Sequence, residues 1–162
     1  MSHSAVRDDL HTIISSVANV GTVHKYRRYS NQWPDFLVHF KTTIAGSDYI
    51  RGWDIHINGG PADEPVYGEW NPEDRAVVYR TFNAEIRGFF GVNDSAQSEI
   101  TAYTIVENII NALNLSTVLH GGEDYSIRTP LCSHTFQEAY FGSTLCHLAI
   151  IQQSVVYGEK LT

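Results

Sequence analysis

Basic residues are scarce in this chain. Eleven Lys and Arg stand against eighteen Asp and Glu, a formal charge of −7 over 162 residues. Sequence-independent nucleic-acid binding needs a cationic surplus, so that class is excluded. An acidic surface past which DNA slides without sticking is not. Cysteine is scarcer still, with only Cys132 and Cys146. The first residues, Met1 to Asp9, show no basic segment followed by an apolar core, so no signal peptide is expected. Without an export signal, free buried thiols are expected rather than a disulfide. Long apolar runs are absent: the longest, residues 148–151, is far too short to span a bilayer. At 43% hydrophobic and 18% charged, the chain reads as an ordinary globular protein, one domain over residues 1–162 with a real core. The expected compartment is the cytoplasm, or a particle assembled there.

Catalytic and metal-binding signatures are also lacking. The eight histidines include no HExxH and no pair four apart on a helix, and there is no Cys-x-x-Cys. The nearest ligand spacings are Asp54-x-His56, Cys132-x-His134 and His120-x-x-Glu123. Asp54 and His56 share one face of a strand, and the expectation is two polar residues on a solvent face rather than a ligand pair. His147 follows Cys146, and strand geometry puts them on opposite faces, which works against a Cys–His catalytic pair. His147 is therefore expected in the core or at an interface. No nucleophile elbow, Ser-x-x-Lys or phosphate loop occurs. Gly88 and Gly91 bracket two phenylalanines and are read as a bend into a helix cap. Internal repeats, heptads and low-complexity tracts are absent.

What is present is strong patterning. Residues 76–90 alternate, with Val78, Phe82, Ala84, Ile86 and Phe90 on one face and Tyr79, Thr81, Asn83, Glu85 and Arg87 on the other, a half-buried strand. Asp94 and Gln97 read as a capping box opening a helix over residues 95–115. That helix carries only Glu99 and Glu107 as charges, and its outer face reads as Ser98, Thr101, Asn108 and Ala112. Small, neutral residues of that kind suit burial against another subunit. The chain looks built to assemble rather than to catalyse.

Elsewhere, Val6, Leu10, Ile13, Ile14 and Val17 predict a helix over residues 4–17, ended by Asn19-Val-Gly21. A short strand over 22–27 follows, then a short helix within 30–42 with Pro34 in its first turn. Strands are predicted over 49–57 and 144–157, the latter apolar at both parities in its centre and so covered on both faces. Residues 114–132 are mixed, with a possible edge strand at 125–129. The fold class is α+β: a single domain with a twisted, mostly antiparallel sheet flanked by two main helices.

Two charged segments stand out. Residues 58–74 hold three prolines, three glycines, the five carboxylates Asp63, Glu64, Glu69, Glu73 and Asp74, and no Lys or Arg. This is a long exposed acidic loop between antiparallel strands. Its aromatics Tyr67 and Trp70 either fold it back onto the domain or anchor a partner. A solvated loop is a poor place for a catalytic carboxylate pair. The one basic cluster runs from His24 through Lys25, Tyr26 and Arg27 to Arg28. Segregated charge of opposite sign suits head-to-tail packing of subunits in a ring.

The order and texture of the chain resemble the tail terminator proteins of long-tailed bacteriophages. The matching parts are Val6-Arg-Asp-Asp-Leu10, Trp33-x-x-Phe36 with Phe40-Lys41, Ile50-Arg-Gly-Trp53, Phe82-x-x-Glu85-Ile86-Arg87-Gly88-Phe89, and Leu145-Cys-His-Leu148. The resemblance implies a non-enzymatic virion protein of the tail or neck, assembled in the host cytoplasm. It implies a homo-hexameric ring that caps the tail tube, stops its polymerisation and presents a surface for head–tail joining. The implied partners are other copies of itself, the tail tube protein and a head-completion or connector protein, with DNA only in transit through the lumen. No cofactor, catalytic residue, metal or membrane is implied. The acidic loop (Asp63, Glu64, Tyr67, Glu69, Trp70, Glu73, Asp74) would face the channel or the tube, negative charge keeping DNA phosphates from sticking. Lys25, Arg27, Arg28, Ser98, Thr101 and Asn108 are the candidate subunit interface. The alternatives are another neck protein for head or tail completion, or a small α+β hydrolase or ligand-binding domain using Trp53, Asp54 and His56.

Overall fold

The computed structural model describes residues 3–59, 77–116 and 132–160. In chain order the elements are α1 (His3–Ser15), β1 (Thr22–His24), α2 (Trp33–Val38), β2 (Lys41–Ile44), β3 (Ser47–Gly59), β4 (Val77–Gly91), a 3₁₀ turn (Asp94–Ala96), α3 (Ser98–Leu115), β5 (Ser133–Phe141) and β6 (Thr144–Lys160). The strands form one six-stranded sheet in the order β1-β3-β4-β6-β5, with β2 also paired to β3. Only β1 runs parallel to its neighbour. This is the expected α+β architecture with a mostly antiparallel sheet.

The long strands carry two different faces. On one, Trp53, Ile55 and Ile57 of β3, Phe82, Ala84, Ile86 and Phe90 of β4, and Ala149, Ile151 and Val155 of β6 form the main core. Helices α1 and α3 close it with Val6, Leu10, Ile14, Ala102, Ile105, Val106, Ile109 and Leu113. The opposite face is apolar only at one end. There α2 lays Phe36 and Leu37, with the following Phe40, against Phe89 and Cys146. Ring centroids 4.3–5.3 Å apart link Phe36, Phe40 and Phe89. Pro34 sits in the first turn of α2, where its missing N–H costs no hydrogen bond.

Three local readings are corrected. Gly88 makes no bend. It lies mid-strand opposite Trp53, and a Cβ there would come within 2.5 Å of the indole. Asp94 and Gln97 form no capping box. The Asn93 side chain instead accepts from the Ala96 N–H at 3.2 Å, and Gln97 takes a left-handed φ of 50° between the 3₁₀ turn and α3. Asn93, one residue earlier, has the same short acceptor chemistry and reaches the donor first. The strand over residues 22–27 shortens to β1, because residues 25–29 leave the sheet and cross its second face.

Two strands carried no sequence signal. β2 pairs with β3 through Ala45 and Gly46, both at positive φ (50° and 82°), the type I′ arrangement that matches strand twist. Among the described residues β5 is an edge strand, and its residues are mostly exposed, so its alternation of apolar and polar residues is weak. The proposed acidic loop and the possible strand over 125–129 lie outside the described residues.

Candidate functional site

The second face of the sheet, beyond the α2 cluster, is polar, and among the described residues it holds a connected group of buried and half-buried charges. β3 and β4 pair Asp54 with Arg87 across the ladder. Arg87 grips the carboxylate with both arms of its fork, Nε donating to Oδ1 at 2.9 Å and Nη2 to Oδ2 at 2.6 Å. Oδ2 also accepts the backbone N–H of Arg28 at 3.2 Å. Asp54 is fully buried, which corrects its expected place on a solvent face. The 25–29 segment crosses over it and shuts out water. Burial of a carboxylate is tolerable here because every bond it accepts is charged or from backbone.

Three of the basic residues around this point are neutralised by acids of their own chain. Arg87 has Asp54, Arg27 forms an ion pair with Glu85, and Lys25 meets Asp8 at 2.8 Å. The Lys25 hydrogen bond holds the Asp8 carboxyl below the usual carboxylate range. Gln152 of β6 adds a bond to the other Glu85 oxygen at 3.4 Å. Arg28 differs. Its guanidinium donates to the Tyr26 hydroxyl at 2.5 Å and to Nδ1 of His39 at 2.9 Å, and lies 5.2 Å from the Tyr26 ring centroid. Burial and then the charge of Arg28 hold His39 below its ordinary value of 6.5. The His39 carbonyl in turn accepts from His24 Nε2 at 2.6 Å.

Tyr26, Arg27, Arg28, Tyr29 and His56 together line an open cleft of about 560 Å³. His56 is thus brought to a site, on the same face as Asp54. Trp53 points into the core on the other face, its Nε1 donating to the Val20 carbonyl at 3.1 Å. Tyr29, Glu85, Arg87 and His39 belong to this constellation but were not singled out in the sequence. The usable signal was the pair of opposite charges at Asp54 and Arg87, legible only once the β3–β4 register is known.

The residues expected at a subunit interface divide. Lys25 and Arg27 are engaged within their own chain, and Arg28 faces the cleft. Ser98 and Thr101 are half-buried, and Asn108 is exposed. Ser98 Oγ accepts the Asn93 N–H at 2.8 Å and lies 3.2 Å from Nε2 of His147. The face of α3 that points outward is Ile100, Tyr103, Thr104, Glu107, Asn108 and Asn111. The stripe read from the sequence through Ser98, Thr101 and Ala112 flanks the buried row instead, one helical step away from Ala102, Ile105 and Ile109. Ile100 is 62% exposed and Leu115 82%. Tyr140 of β5, on the same sheet face as α3, is 71% exposed.

His147 is buried, stacked on Phe136 at 5.5 Å, and away from Cys146, which belongs to the α2 cluster. Cys132 donates to the Gln153 side chain. Burial pushes both thiols up to about 11. Among the described residues no three His, Cys, Asp or Glu side chains come together as a metal site, and no helix is long and apolar enough to cross a membrane. His120 and Glu123, like Asp63, Glu64, Tyr67, Glu69, Trp70, Glu73 and Asp74, lie outside the described residues.

No protein-family model matches this chain, and no curated protein does.

Proposed function

We propose that this chain is a structural virion protein and not an enzyme: a bacteriophage tail terminator. In this reading copies of it form a hexameric ring that caps the tail tube, ends tube polymerisation and seats the head-completion or connector protein. The observation that carries the reading is the outward face of α3. Ile100, Tyr103 and Leu115 stand in water there with two acids as the only charges on the helix, and Tyr140 of β5 is exposed on the same side of the sheet. Exposed apolar side chains on a face with little charge are what a subunit contact buries. The outer edge of β5 adds to it, since it pairs with no strand among the described residues. Its sequence, Ser-His-Thr-Phe-Gln-Glu-Ala-Tyr-Phe, also lacks the Lys and Pro that guard free edges.

The partners in this role are other copies of the chain, the tube protein and a neck protein, with DNA only passing through the lumen. No cofactor takes part, and the protein ends in the virion after assembly in the host cytoplasm. The test is tail length in particles made with this gene disrupted, seen by negative-stain microscopy. Abnormally long, headless tails are the expected result. Headless tails of normal length would move the protein to a head- or tail-completion role, and complete particles would overturn the structural reading. A ligand-binding domain is the second reading, favoured by one observation, the seating of His56 in the Tyr26–Tyr29 cleft.

A further inference from the structure

Strand β5 spends one edge on β6, from Ser133 to Phe141, and its other edge pairs with no strand among the described residues. Ser133, His134, Thr135, Gln137, Glu138 and Tyr140 are all exposed. Nine residues of open backbone N–H and C=O groups form a template for another strand. The side chains of β5 on the α3 face are His134, Phe136, Glu138 and Tyr140, opposite core positions of β6 such as Ile151 and Ala149. They include the one acid and the one histidine of the strand, four residues apart. Neither forms an ion pair among the described residues. Phe136, between them, is half-buried beneath Tyr103 of α3, with ring centroids 4.1 Å apart. Tyr103 and Ile100 on that helix are 40% and 62% exposed.

We infer that β5 pairs antiparallel with β5 of a second copy, on a two-fold axis through Phe136, so that His134 of each chain meets Glu138 of the other. Two conditions choose this register. The axis stands perpendicular to the sheet, which keeps α3 of both copies on one side and pairs even-numbered residues with even-numbered ones. Among such registers, the one with position 134 opposite 138 sets an imidazole donor against a carboxylate twice, once on each side of the axis. It also sets Phe136 against Phe136, and so brings Tyr103 of each copy towards the other. A parallel pairing in register would instead stack Glu138 on Glu138, which is repulsive. A two-fold contact closes at two copies, whereas a ring needs a head-to-tail one, so the dimer stands or falls apart from the terminator role. Where that role holds, the dimer is the resting form of the free protein, its β5 edge sheltered until assembly opens it.

The test is sedimentation equilibrium of the full chain at neutral pH across micromolar concentrations, where a reversible monomer–dimer equilibrium is expected. His134→Glu sets carboxylate against carboxylate on both sides of the axis and should weaken the dimer about tenfold or more. Adding Glu138→Lys to it restores opposite charges in the same register and should recover dimerisation. Both positions are exposed, so thermal midpoints should stay close to wild type. Amide exchange of the wild-type chain gives a readout that needs no variant: alternate amides between Ser133 and Phe141 should slow as concentration rises. A monomer at every concentration would overturn the inference. So would a dimer that His134→Glu leaves unchanged, or one that the double substitution fails to restore. A hexamer indifferent to both substitutions would remove the β5 pair and leave the ring, whereas complete particles from the disrupted gene would remove the ring and leave the pair.

Discussion

The Trp53 indole lies flat across Gly88, its direct partner on the neighbouring strand, and occupies the volume that any side chain at position 88 would need. Trp53 is fully buried there and donates to the Val20 carbonyl, so it ties β3 to the turn after α1. Gly88→Ala forces a methyl to within 2.5 Å of the ring. Overpacking of this kind costs about 1–3 kcal/mol, and the thermal midpoint should fall accordingly. Adding Trp53→Phe should cost less in the Gly88→Ala background than in the wild type, because the smaller ring relieves the clash. Simple additivity would sink the steric account.

Asp54 and Arg87 form a buried pair, with Asp54 at 0% exposure and the Arg87 side chain at 21%. Removing one partner strands the other. Asp54→Leu and Arg87→Leu should each cost about 3 kcal/mol in urea unfolding, whereas the double substitution should cost clearly less than their sum. Loss of Asp54 also frees the Arg28 N–H, so residues 25–29 should lose amide-exchange protection first.

Cys132 and Cys146 should not form a disulfide. The β5–β6 register sets Ser133 opposite Gln152 and Ala139 opposite Cys146. About seven residues of strand, roughly 23 Å, therefore separate the two thiols, and a disulfide needs its Cα atoms within about 7 Å. Mass spectrometry without reductant should find both free. Both thiols are raised by burial to about 11 from an ordinary 9.0, so the folded state holds these protons more tightly than the unfolded chain. Their contribution to stability is complete below pH 9 and is lost as pH rises towards 11. Chemical unfolding at pH 8 and pH 10.5 should show the lower stability at the higher pH. At pH 8 the native protein should react with iodoacetamide about a hundredfold more slowly than the unfolded chain.

Ile100 is mostly exposed in the single chain, so Ile100→Glu should change its thermal stability by no more than about 0.5 kcal/mol. If the outward face of α3 is a subunit contact, the same change should block assembly when light scattering follows the protein at concentrations where the wild type forms rings. Normal rings from this variant would remove α3 from the interface.

The long elements were legible because their periods are written locally. Strands β3 and β4 and helices α1 and α3 each show a period of two or 3.6 over many residues, β6 shows a long apolar centre, and burial follows those patterns. Strand β5 was silent because residues of both parities are mostly exposed, which leaves little apolar alternation to read. Strand β2 was silent because four residues are too few to show a period. The outer face of α3 was misplaced by one helical step, since Ser98 and Thr101 are as small and polar as solvent residues yet sit beside the buried row.

The sequence by itself determined the α+β class, the acidic balance and the sheet core, all properties of composition and local spacing. Tertiary structure alone decided that Asp54 is buried, that Lys25 and Arg27 are consumed by Asp8 and Glu85, and that Arg28 is left facing a cleft. The physical reason is that a charge is defined by its partner. Arg87 stands 33 residues from Asp54 and Glu85 stands 58 from Arg27, distances across which strand register, and not local pattern, chooses what meets.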